Sequence, residues 1–168
     1  MTLSMSQASK PVFAQGLRGL LGVLDKAEAH AAAGKIDEAA FLQARLYPNM
    51  FPLTRQVQIA ADFAKGATAR LAGEEVPAWE DSEASFAELK ARVQRTLDFI
   101  AAIDAGKIDG SEDRDIALVR RGETTIHKGQ AYLLEQALPN FWFHVTTAYA
   151  ILRHNGVEIG KRDFLAAN

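Results

Sequence analysis

Between Pro52 and Gly73 the apolar residues Leu53, Val57, Ala60, Ala64, Ala67 and Leu71 follow one another at steps of four, three, four, three and four. Only an α-helix gathers residues so spaced onto one face; a strand, with its period of two, would scatter them over both. Three of the six are alanines, which let a neighbouring helix approach closely. A face this regular must be covered, so the chain is committed to packing helix against helix.

Three further stretches carry the same period. After Pro11, a residue suited to a first helical turn, Val12, Phe13, Gly16, Leu17, Leu20, Leu24, Ala27 and Ala31 form one face, and Gly34 is the expected stop. Asp37 is the N-cap of an expected short helix over 37–44. Ser85 and Glu88 have the spacing of a capping box, followed by the stripe Phe86, Leu89, Val93, Leu97, Ile100 and Ile103, with Glu88 and Arg92 paired on the opposite face and Gly106 as the end. Residues 74–81, with Pro77 inside, are expected to be a linker. Pro139 opens the last long helix, 140–154, which is apolar nearly all round and stops at Asn155-Gly156. A short helix over 130–137 precedes it, and residues 157–168 are expected as an extended tail. Only between Ile116 and His127 does the period change to two: 115–120 and 123–127 are expected strands, joined at Arg121-Gly122. Such a hairpin is marginal alone and must pack on the helices.

Composition removes several functions. With 19 Lys and Arg against 21 Asp and Glu, the net charge of −2 gives no electrostatic footprint for nucleic acid. The absence of cysteine excludes disulfides, thiolate metal sites and a cysteine nucleophile. No apolar run approaches the roughly 20 residues of a spanning helix. The start, MTLSMSQASK, lacks the basic and apolar regions of a secretory signal. A cytoplasmic protein forming a single domain over residues 1–168 is expected.

Chemistry-bearing residues are few. There is no H-E-x-x-H, G-x-x-x-x-G-K, G-x-G-x-x-G or G-x-S-x-G motif, so no cofactor is expected. His30 falls at a helix C-terminus, His127 at a strand end, and His154 at the end of the last helix. His144 differs, lying among Phe141, Trp142 and Phe143. It is expected to be buried facing the second long helix, either as a hydrogen-bonded core residue or as a ligand or base. No two histidines have helical metal-ligand spacing: four before His144 is Asn140 and four after it is Ala148. Thr147, three after His144, shares its side of the helix, and Gln56 lies near the apolar seam of the second. The candidate pocket is therefore His144, Thr147, Asn140 and Gln56. Arg55, Gln58 and Asp62 are spaced as one solvated row.

The segment from Asn140 through Phe-Trp-Phe-His-Val-Thr-Thr-Ala-Tyr-Ala-Ile-Leu-Arg-His-Asn-Gly to Phe164 resembles the end of a bacterial domain-of-unknown-function family in the DinB-like superfamily. Met50-Phe-Pro-Leu-Thr-Arg-Gln-Val-Gln, Arg70-Leu-Ala-Gly73 and Ala137-Leu-Pro-Asn-Phe141 carry the likeness over nearly the whole chain. The resemblance implies an all-α, DinB-like four-helix bundle with a long crossover and a small β-hairpin before the last helix, often dimeric. Metal-binding relatives carry H-x-x-x-H-R-G-Q followed by L-R-x-x-G on the last helix, and a third histidine on the second. Aligning Leu152-Arg153-His154-Asn155-Gly156 with L-R-x-x-G puts His144 on the second histidine and Asn140 on the first. Val145-Thr146-Thr147 replace R-G-Q, and residues 45–73 hold no histidine. The resemblance thus implies a degenerate metal site with no metal bound. A non-catalytic binding or interaction module is expected. The alternatives are a divergent transferase- or hydrolase-type enzyme using the His144 pocket, or a structural dimer. A homodimer is expected from the apolar last helix; no motif specifies a small-molecule ligand.

Overall fold

In a computed structural model of the protein, which describes residues 3–120 and 122–167, the first helix begins well before Pro11. Helix α1 runs Met5–Gly34. The Ser4 hydroxyl accepts from the Gln7 N–H, and Gln7 Oε1 accepts from the Ser4 N–H. This reciprocal box satisfies two end groups at once, so it sets the start. Pro11 falls inside the helix at the cost of one backbone hydrogen bond. At the other end the left-handed residue is Lys35, with φ 51°, one place after the expected stop.

Helix α2, Glu38–Leu42, is capped by the Asp37 carboxylate. Helix α3, Leu53–Ala72, starts after Pro52 and closes on Gly73, whose φ of 71° favours glycine. Helix α4, Phe86–Ala102, has Ser85 as its N-cap, but Glu88 accepts from the Ala84 N–H instead of completing the box at Ser85. It ends at an extended Ile103, and Gly106 lies inside a separate turn, α5, Ala105–Ile108, capped by Asp104.

Strands β1, Asp115–Arg120, and β2, Glu123–Lys128, form the antiparallel hairpin, in register from Asp115↔Lys128 to Arg120↔Glu123. Gly122 takes φ 83°; Arg121, the other half of the expected turn, lies outside the described residues, as do Met1, Thr2 and Asn168. Ile116 and Leu118 are buried, whereas Val119 and Ile126 are exposed.

After the hairpin the chain forms one continuous helical run, not two helices. Helix α6, Gly129–Ala131, passes through a π-helical turn, Tyr132–Ala137, into α7, Leu138–His154. A regular turn would set the Glu135 carbonyl against the ring of Pro139, which has no N–H to offer it; the wider turn relieves that conflict. The tail is only partly extended: Val157 and Ile159 are buried, and a last turn, α8, Lys161–Phe164, packs on α1.

Helices α1 and α3 each pack on both α4 and α7, so they lie diagonally across the bundle. The long crossover, residues 103–128, carries the hairpin from α4 to the opposite side. The centre is filled by Phe13, Leu17, Leu20, Val57, Ala64, Leu89, Phe141 and Ile151, all shielded from water. Among the described residues, no helix is long and apolar enough to cross a membrane.

The expected linker is pinned down. Arg92, placed by the sequence on an exposed face, is 4% exposed and reaches across to it. Its guanidinium donates to the Glu80 carbonyl at 3.0 Å and pairs with Glu83 at 2.9 Å, Asp81 at 2.9 Å and Asp62 at 3.0 Å. The Trp79 ring has Lys65 Nζ and the Arg95 guanidinium each 4.3 Å from its centroid.

Candidate functional site

Helices α3 and α7 meet along the alanine seam, and this contact brings His144 and Gln56 together. Gln56 stands in the first turn of α3. Its Nε2 donates to the Phe51 carbonyl at 3.0 Å, which fixes which way the amide points. Its Oε1 then faces His144 Nδ1 at 2.7 Å. A carbonyl oxygen can only accept, so Nδ1 carries the hydrogen and Nε2 holds a lone pair. Nε2 has no partner among the described residues, and it is not among their sealed, unsatisfied atoms.

The imidazole is buried. Its ring lies nearly parallel to Phe63, 6.0 Å between centroids, and edge-on to Phe143 at 5.2 Å. Burial, and secondarily the positive charge of Arg55, lower its pKa from 6.5 to about 4. It is neutral across the physiological range.

The other two pocket candidates turn to their own helix. Asn140 Nδ2 donates to the Gln136 carbonyl at 2.6 Å, and Thr147 Oγ1 to the Phe143 carbonyl at 2.7 Å. Neither makes a hydrogen bond to His144 or Gln56. Of the remaining histidines, His30 sets its ring edge-on to Phe41 at 5.8 Å, His127 is half-buried in β2, and His154 is exposed at the end of α7. Among the described residues, no group of three or more histidine and carboxylate side chains is arranged to hold a metal ion.

Arg55, Gln58 and Asp62 do not form a solvated row. Gln58 is buried, donating to Glu83 at 2.8 Å and accepting from Arg55 at 3.2 Å. Arg55 also pairs with Asp81, and Asp62 with Lys65 at 2.9 Å. Burial alone would raise the Glu83 pKa, but hydrogen bonds from Arg92 and Gln58 outweigh it and hold the group below 4.5.

Beside this network lies a cleft of about 280 Å³ between α3, the hairpin and the π turn, lined by Arg55, Ile59, Asp62, Phe63, Arg70, Leu118, Val119 and Tyr132. Phe63 separates it from His144. Its trace in the sequence is faint: Phe63 and Arg70 lie seven apart on α3, off the alanine seam. The hairpin that closes the cleft is distant in sequence.

The family profile described as domain of unknown function DUF1993 matches residues 5–165. A crystal structure of a DinB family member protein from Shewanella denitrificans is similar at 38% identity and a TM-score of 0.88, covering 97% of this chain and 92% of that one. No curated protein matches the chain.

Proposed function

This chain belongs to the DUF1993 domain-of-unknown-function family and has a DinB-like fold, and from that premise we propose that it is a non-catalytic binding module in which the superfamily's metal site has decayed. The observation that carries the reading is the bond from His144 Nδ1 to Gln56 Oε1 at 2.7 Å, with no group of three or more histidine and carboxylate side chains among the described residues arranged to hold a metal ion. The residues present do not fit a transition metal. One imidazole and the neutral oxygens of Asn140, Gln56 and Thr147 are a weak donor set for zinc or nickel, and Asn140 and Thr147 are bonded to their own helix. General-base chemistry is equally poorly served: an imidazole with a pKa of about 4 has little drive to take a proton near neutrality, and an amide, not a carboxylate, orients it. A shaped cleft next to a neutral, rigid pair is suited to binding.

The alternative is a divergent transferase- or hydrolase-type enzyme using the His144 pocket, and the unpartnered Nε2 favours it. Metal analysis of protein purified without a histidine tag decides between them. We expect zinc and nickel far below one per chain, unchanged in His144→Ala. Near-equimolar metal that disappears in His144→Ala would overturn the module and establish the metalloenzyme. We further propose a cytoplasmic homodimer, in keeping with the lack of cysteine and with large apolar side chains left exposed on the protomer.

A further inference from the structure

We propose that the cleft between α3, the hairpin and the π turn binds a small organic monocarboxylate with an apolar body, its carboxylate held by Arg70. The proposal rests on the binding-module reading and gives that module a ligand class.

Arg70 is the starting point. The other cation lining the cleft, Arg55, belongs to a matched network beside it: Arg55, Lys65 and Arg92 pair with Asp62, Asp81 and Glu83, three cations against three carboxylates. Arg70 stands outside this set. Among the described residues no carboxylate lies within ion-pair distance of it; its bond is from Nη1 to the Tyr132 hydroxyl oxygen at 3.2 Å. Gly66, one turn earlier on α3, makes this placement feasible. A Cβ at Gly66 would collide with Arg70 Nη1, so the glycine leaves a groove in which the guanidinium lies against the helix. The group is thus held in place while its charge is unmet.

The walls choose the rest of the ligand. Ile59, Phe63, Leu118 and Val119 give the cleft an apolar lining beside Arg70. A volume of about 280 Å³ suits a single ring or a short branched chain. The planar fork of a guanidinium matches a carboxylate, with two parallel hydrogen bonds. Phosphate is disfavoured: its second charge would need another unmatched cation, and Asp62 also lines the cleft. Arg70 also sits in the last turn of α3, where a cation suits the helix dipole. That role alone predicts no ligand and no dependence on Gly66.

Titration of the full chain with 4-methylbenzoate, 4-methylbenzamide and inorganic phosphate, followed by amide NMR shifts, tests the site. We expect saturable shifts at Leu118 and Val119 with the benzoate, and at least about tenfold weaker binding of the amide and of phosphate. Arg70→Gln should weaken benzoate about tenfold or more, Gly66→Ala should weaken it, and Arg95→Gln should leave it unchanged. If Arg70→Gln does not fold, Arg70→Lys keeps the charge without the fork and should still bind more weakly. Equal binding of benzoate and benzamide, equal binding of phosphate, undiminished binding by the Arg70 variant, or no saturable binding would overturn the site. Recovery of chemically unchanged benzoate is expected. Conversion that is lost with Arg70 would confirm the site but sink the non-catalytic reading. A missing site with metal-free protein would leave that reading standing.

Discussion

His144 and Gln56 show how much one hydrogen bond can dictate. Because the Phe51 carbonyl fixes the Gln56 amide, the imidazole must carry its hydrogen on Nδ1. Nitrogen-15 NMR at neutral pH should show that tautomer, titrating with a midpoint near 4; an Nε2–H tautomer would refute the assignment. The same shift ties stability to pH. The unfolded chain protonates this histidine near 6.5 and the folded chain only near 4, so between those values the unfolded state binds more protons. Its contribution therefore falls as pH drops through that window and levels off below it. Glu83 acts in the same direction at lower pH. Its carboxylate is held below 4.5, so the stabilisation is present above that value and is lost as pH falls through the folded pKa. Denaturant unfolding from about pH 7 to about pH 5 should show a larger loss for the wild type than for His144→Gln. Identical losses would mean that His144 is not the group responsible. At neutral pH, His144→Ala should cost about 1–3 kcal/mol, from lost packing and a stranded Gln56 carbonyl.

Among the elements, α1 offers a comparison in which helix propensity cancels. Gly19 and Gly22 lie in the same helix, and alanine should favour that helix by about 0.5–1 kcal/mol at either position. A Cβ added at Gly22 would have nothing within 4 Å of it, whereas one at Gly19 would drive into the Phe164 carbonyl where α8 crosses α1. Gly22→Ala should raise the melting temperature and Gly19→Ala should lower it. Equal shifts would mean that α8 does not dock as described. The segment between α3 and α4 gives a second test. Arg92 is 2% exposed at its side chain and ties down Glu80, Asp81 and Glu83. Arg92→Ala strands Glu83 and should cost about 3 kcal/mol or more, with faster proteolysis between residues 74 and 85. Unchanged cleavage would mean that the segment is held without Arg92, by Trp79 and by the bonds of Asp81 to Arg55 and of Glu83 to Gln58. These contacts also mark what the sequence could convey. The apolar periods of α3, α4 and α7 and the period-two hairpin were legible because each is a local pattern fixed by a buried face. Gln56 and His144 were legible as a pair because each lies beside such a face. Arg92 was not: it falls three after Leu89 and four before Thr96, on the flank of the stripe, and apart from Asp62 its partners come from the stretch between α3 and α4, whose local pattern signals only a linker. The Arg70 cleft was hidden for the same reason, since the hairpin that closes it shares no period with α3.

For the whole molecule, the open question is what lies over the face that carries His144. Phe51 and Phe143 flank the His144–Gln56 pair through the Phe51 carbonyl bond and the Phe143 ring contact, and each is 56% exposed. Tyr47, in the same connection as Phe51, is 64% exposed. Aromatic side chains left in water at this density favour burial against a partner, and a two-fold axis would let one patch serve both sides. The proposed homodimer would then cover His144 Nε2 and leave the Arg70 cleft, on the far side of Phe63, open to a ligand. Light scattering on the order of tens of micromolar should give twice the chain mass for the wild type and the single-chain mass for Phe143→Asp. Because Phe143 is exposed on the protomer, Phe143→Asp should keep its helical circular dichroism while losing the dimer. A monomeric wild type, or a Phe143→Asp variant that remains dimeric, would rule out this face. Dimerisation through it would also explain why the pocket keeps a neutral, hydrogen-bonded histidine: a charged ring there would have to be desolvated whenever two chains meet.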